Sequence, residues 1–206
     1  MVSKIDTAWD LFLEGKTSEA KKLVEQDFSI DTCTDFSLLN LMGYLLLAEK
    51  DYASCTRIFE KYILLAQQNE DKEHEHIGLH QLAMIYRDQG DFHKALKLIE
   101  DEEKIVEEHF PNDNLKKAVN NYEQGYVRFK LNNLDEALTF MNLSLEQSLE
   151  TDDVISQACS YRGLGEIYLA LEDREISNRH FKRALELFES AGEFEGVKEI
   201  EELINR

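Results

Sequence analysis

Apolar residues recur every three or four positions along most of the chain, in runs interrupted by short polar breaks. Such spacing places them on one face of an α-helix, where a strand would alternate them. The breaks read Glu14-Gly15-Lys16, Glu49-Lys50-Asp51, Gln89-Gly90-Asp91, Asn132-Asn133 and Glu172-Asp173. Asp51, Asp91, Asn133 and Asp173 are good helix N-caps, because a side-chain oxygen accepts from the free N–H groups of the following turn. The pattern therefore predicts helix, tight turn, helix, five times in succession.

The five units share a register. A small residue is followed twelve positions later by another: Ala8 and Ala20, Gly43 and Cys55, Ala83 and Ala95, Gly125 and Ala137, Gly165 and Ser177. The later members are spaced by 35, 40, 42 and 40 residues. Three residues after the first small one stands a large one: Leu11, Leu46, Tyr86, Arg128 or Tyr168. Four after the second stands an apolar one: Val24, Phe59, Ile99, Met141 or Phe181. Small residues at a helix crossing let the backbones approach, and large neighbours fill the space beside it.

First helices are expected near 5–14, 37–49, 73–89, 113–131 and 153–171, second helices near 17–26, 52–68, 92–109, 134–149 and 174–190. Pro111-Asn112-Asp113 and Thr151-Asp152-Asp153 each end one helix and start the next. Residues 193–205 read as one more amphipathic helix, with Phe194, Val197, Ile200, Leu203 and Ile204 on its apolar stripe. It would cover the core face that the last repeat leaves open. The expected fold is all-α. It is one domain over residues 1–206, a solenoid of five antiparallel helix pairs near 5–26, 37–68, 73–109, 113–149 and 153–190, closed by the capping helix.

Composition agrees with helices and narrows the function. The chain has one proline and nine glycines in 206 residues, where average usage would give roughly ten and fourteen. A turn-rich β sandwich, collagen and a disordered linker are disfavoured. The formal net charge of −19 argues against coating nucleic acid or an anionic membrane. Cys33, Cys55 and Cys159 form no CxxC pair and are odd in number, so a reducing cytoplasmic setting is expected. The N-terminal residues lack the apolar stretch of a signal peptide. The most apolar run, Leu38 to Leu47, is interrupted by Asn40 and falls far short of the ~20 residues of a spanning helix.

Motifs of catalysis are missing from the sequence: there is no GxxxxGK[ST], GxGxxG or GxSxG. In Glu73-His74-Glu75-His76-Ile77-Gly78-Leu79-His80, His76 and His80 share a helix face, and Glu73 could in principle join them on a metal. However, HExxH chemistry would need histidine where Gly78 stands, and no cysteine is near. The tract reads better as a polar helix start with one histidine on a binding face. Glu100 to Lys104 with Glu107-Glu108 reads as a solvated outer helix face. No metal, cofactor or enzymatic activity is expected.

The segment Ala83-Met84-Ile85-Tyr86-Arg87-Asp88-Gln89-Gly90-Asp91-Phe92-His93-Lys94-Ala95 closely resembles the tetratricopeptide repeat. Gly165-Glu166-Ile167-Tyr168 and Leu134-Asp135-Glu136-Ala137-Leu138 resemble it locally, and the likeness extends over roughly residues 5–191. The chain departs from the family's 34-residue period, from its unit-ending proline and, at Arg128, from its usual aromatic. Steps near 40 resemble the variant of kinesin light chains and of Gram-positive peptide receptors. Residues 1–36 are too short for the DNA-binding domain that such receptors carry, so no transcription factor is expected.

The resemblance implies a right-handed superhelix whose concave groove is lined by first helices. By position, that groove would hold Asn40, Tyr44 and Leu47, then His80, Met84 and Arg87, then Tyr122, Tyr126 and Phe129, then Arg162, Glu166 and Leu169. Asn40 could pair with a peptide amide, the aromatics offer rigid contact area, and Arg87 and Arg162 could hold a carboxylate. The family's chaperone-tail clamp needs Lys and Asn where this chain has Ile5, Trp9, Asn40, Tyr44, His80 and Met84, so that role is not expected. The expected function is a non-catalytic scaffold binding a peptide or protein segment, without nucleic acid or membrane. The alternative is a self-associating structural protein, a homo-oligomer.

Overall fold

A computed structural model describes residues 3–204. They form eleven helices: α1 Lys4–Leu13, α2 Thr17–Val24, α3 Phe36–Ala48, α4 Tyr52–Gln68, α5 Lys72–Asp88, α6 Phe92–His109, α7 Asn114–Lys130, α8 Leu134–Leu149, α9 Val154–Ala170, α10 Arg174–Ala191 and α11 Phe194–Ile204. The expected capping helix is α11, and its expected last residue, Asn205, lies outside the described residues.

Aspartates start most of the helices. Asp35, Asp51, Asp71, Asp91, Asp113, Asp153 and Asp173 each accept from a backbone N–H three residues on. Each thereby satisfies one of the donors a helix start leaves open. Asn133 is an exception to its predicted role: it occupies the N-cap position of α8 without a side-chain cap bond.

The turns within units close identically. The N–H groups of Lys16, Asp51, Asp91, Asn133 and Asp173 donate to the carbonyls of Leu11, Leu46, Tyr86, Arg128 and Tyr168. The residue before each of these donors has positive φ: Gly15, Lys50, Gly90, Asn132 and Glu172. This is the left-handed helix ending in which an i+5 bond satisfies a carbonyl otherwise left bare. The large residue that marks each unit in the sequence is thus also the acceptor that closes its turn.

The small pairs lie where helices cross. Cys55 Sγ donates to the Gly43 carbonyl at 3.2 Å, and Ser177 Oγ donates to that of Gly165 at 2.8 Å. A Cβ at Gly43 would lie 2.5 Å from the Phe59 ring, one at Gly165 would strike Phe181, and one at Gly125 would lie 3.1 Å from Met141. Where the first small residue is glycine, the partner four beyond the second is Phe or Met. At these crossings the large side chain occupies the space that the glycine leaves, as close packing requires.

The chain divides into two compact units, Met1–Leu98 and Ile99–Arg206. In the first, α1 packs on α2 and α3, and α3 and α5 both pack on α4. Its core joins Leu39, Leu41, Leu45, Ile58, Phe59 and Tyr62, with Phe28, Ile30 and Cys33 of the irregular α2–α3 connection packed against it. In the second, α7 packs on α8 and α9, α9 on α10, and α10 on α11. One core cluster centres on Met141, Leu164 and Ile167, and another on Phe181, Phe188 and Ile200. No described helix is long and apolar enough to cross a membrane.

Candidate binding face

All twelve residues expected to line the first helices' exposed face are half-buried, with neither the burial of core nor full exposure. Spacings of four and three within α3, α5, α7 and α9 align them on one face of each helix. The residues between them, such as Leu41, Leu45, Leu82, Val127 and Leu164, turn to the cores.

In the first unit, Tyr44 stacks on Phe12 and meets Trp9 edge-on, both with centroids 5.9 Å apart. Trp9 is fixed by a 2.9 Å bond from its Nε1 to Ser37 Oγ. Burial raises the Tyr44 phenol's pKa, opposed by a hydrogen bond with Gln81. Asn40 Oδ1 is buried, and no donor among the described residues reaches it. Leu47 packs on the core. Arg87 Nη2 pairs with Asp88 at 3.3 Å. His80 and Met84 lie on the α5 face, half-buried. His76, considered with Glu73 and His80 for a metal, is buried, with Nε2 3.5 Å from Glu73. Among the described residues no group of three or more His, Cys, Asp or Glu is placed to hold a metal ion.

In the second unit, Tyr122 and Tyr126 stack at 6.1 Å with 15° between planes. Phe129 lies next along α7, and Lys130 Nζ stands 4.8 Å from the Tyr126 centroid and 5.1 Å from that of Phe129. Arg162 of α9 donates through Nη2 to Tyr122 Oη and through Nη1 to Glu199 of α11. Burial lowers the Arg162 pKa, but the Tyr122 oxygen, Cys159 and Glu166 outweigh it, so the net shift is upward. The guanidinium is charged at any ordinary pH. Burial likewise drives the Tyr122 phenol upward, against the pull of Arg162. Tyr122, Cys159, Arg162 and Glu166 thus form one electrostatic group. Leu169 packs with the α9–α10 core, and Phe129 packs on the α8–α9 one.

Sequence reasoning missed two features. Glu199 has no positional signal, being one of many acids on the polar side of α11. The acidic run of α6 is also not simply solvated, as was expected: Glu102 is only 2 % exposed, and Glu100 pairs with Arg128 at 3.2 Å. Arg128 further bonds Glu136 at 2.9 Å and stands 4.2 Å over the Phe140 ring. It fills the volume of the expected aromatic and carries a charge that two glutamates balance.

Tetratricopeptide repeat profiles match residues 114–190 and 79–101. No curated protein is significantly similar in sequence. Among solved structures, nearly identical TPR-like repeats of a kinesin light chain from Podosopora anserina align with a TM-score of 0.70 at 16 % identity, over 92 % of this chain and 94 % of that one. BtubC from P. vanneervenii aligns at 0.67 and 18 %, over 98 % and 89 %. MamA from Desulfovibrio magneticus RS-1 aligns at 0.62 and 18 %, over 92 % and 98 %. At these identities the likeness speaks for the fold. With the shared turn closure, the small-residue crossings and the two matched segments, the chain is a tetratricopeptide repeat protein.

Proposed function

We propose that this chain is a non-catalytic scaffold that binds a peptide or protein segment on the exposed faces of its first helices. The observation that carries this reading is the stacked Tyr122–Tyr126 pair continued by Phe129, half-buried on α7. Aromatic area kept partly open to solvent is costly unless a partner covers it, and such residues are enriched at recognition surfaces. In the first unit, taken by itself, the Asn40 oxygen is an acceptor suited to a backbone N–H. Cys33, Cys55 and Cys159 are unpaired, which supports a cytoplasmic setting.

A peptide selected on the wild-type chain from a random displayed library serves as the probe. Y122A/Y126A is expected to keep its helical circular dichroism and to lose peptide binding by calorimetry. Undiminished binding by the folded variant would remove the reading.

A further inference from the structure

Arg162 and Glu199 form an ion pair of unequal members. The Arg162 side chain is 21 % exposed and Glu199 is 58 % exposed. Arg162 is held from a second side by Tyr122, and its Nε is buried with no acceptor among the described residues. The cation is therefore embedded in the α7–α9 face, while the anion arrives from solvent. Its carrier, α11, packs on α10. It buries only Gly196 and Ile200 among its described residues and leaves Phe194 82 % exposed. Elements with few buried side chains open at lower free energy than core helices.

We propose that Arg162 with Tyr122 Oη is a subsite for a side-chain carboxylate of the bound segment, and that Glu199 is its built-in competitor. A mid-chain glutamate is what the site already holds, so a glutamate or aspartate side chain of a partner fits the same donors. The exchange is charge-neutral: one carboxylate replaces another, and Glu199 passes into water. Neutrality matters because Glu123 and Glu166 also act on this group, and a further anion added beside Glu199 would be repelled. The exchange removes the Glu199 tie between α11 and α9, so occupancy of the face and docking of α11 oppose each other. This inference rests on the binding-face reading and specifies its chemistry and control.

The probe is N-acetyl-glutamate amide, with N-acetyl-glutamine amide as its neutral counterpart at matched ionic strength. The full chain is titrated by NMR, following the Arg162 Nε–H signal. E199Q is expected to bind the glutamate probe measurably more tightly than wild type, because the tethered competitor for Arg162 is gone. E199Q/R162Q should show no preference for the glutamate probe. In wild type, hydrogen exchange of the α11 amides should quicken with the glutamate probe and not with the glutamine one. Equal binding by wild type and E199Q, or equal response to both probes, would overturn the proposal. Such a failure would leave the Tyr122 and Tyr126 test untouched, because that test uses a different ligand and substitutes neither Arg162 nor Glu199.

Discussion

Arg128 contacts Glu100, Glu136, Gln124 and Phe140 at once, although it is only 8 % exposed. Both glutamates keep about half of their side-chain surface in water, so removing the arginine strands no buried anion. The loss would be mainly packing against Phe140. Arg128→Ala is therefore expected to lower stability by about 2 kcal/mol, the scale of truncating a buried side chain. Arg128→Tyr should recover most of that loss in urea denaturation. Equal losses for both variants would show that charge, and not volume, decides this position. The register of the repeat marked Arg128 as a departure. It could not reveal the compensation, because Glu100 lies 28 residues away on another helix. Glu199 was hidden in the same way, 37 residues from Arg162. Periodicity reports which face of its own helix a residue occupies, not which side chain meets it there.

At the scale of elements, the balance between glycine and its aromatic partner makes a second prediction. Gly165→Ala would gain roughly 1 kcal/mol of helix propensity but overpack against Phe181 at a cost of about 1–3 kcal/mol. Net destabilisation is expected. Phe181→Leu makes room for the new methyl group, so the double variant should be more stable than the two single effects added together. Strict additivity in a denaturation cycle would contradict the volume argument. The N-caps imply an acid dependence. Bonds from the His74 backbone hold the Asp71 carboxyl below its ordinary pKa. Burial pushes Asp113 up, but bonds from Lys116 outweigh it and the net shift is downward. A depressed carboxyl contributes stability above its ordinary pKa, near 3.9, and loses it as pH falls through the folded value. Thermal melts should fall steeply below about pH 4, and Asp113→Asn should flatten that fall. An unchanged slope would show that this cap does not titrate with folding. Every helix lies within two residues of its expected bounds, because Asp, Asn and Gly punctuate the chain locally. The left-handed residues Lys50, Glu70 and Glu172 carry no such sign of their own, and the turns at Lys50 and Glu172 were readable from the capping aspartates that follow them and from the repeated register.

For the whole molecule, the charge of −19 gives a general argument against anionic partners, and the local chemistry qualifies it. Arg162 and Lys130 sit at the α7 aromatics. The face proposed for a partner therefore differs from the chain's average. The all-helical repeat was legible because it depends on spacing, which sequence records directly. The proposed binding face is a set of positions read from helix periodicity, and each of the twelve is half-buried. What each side chain does there was not legible, since Tyr44 meets Trp9 and Phe12 of another helix and Arg162 meets a carboxylate from the terminal one.

The central claim is that the first helices, and not the second, bind the partner. It is tested most directly by titrating one library-selected peptide into three folded proteins: wild type, Y122A/Y126A on α7, and L143A/L149A on α8, whose leucines are also exposed. The account predicts that wild type and L143A/L149A bind alike while Y122A/Y126A does not. Binding that survives in Y122A/Y126A and fails in L143A/L149A would place the partner on the second helices and contradict it.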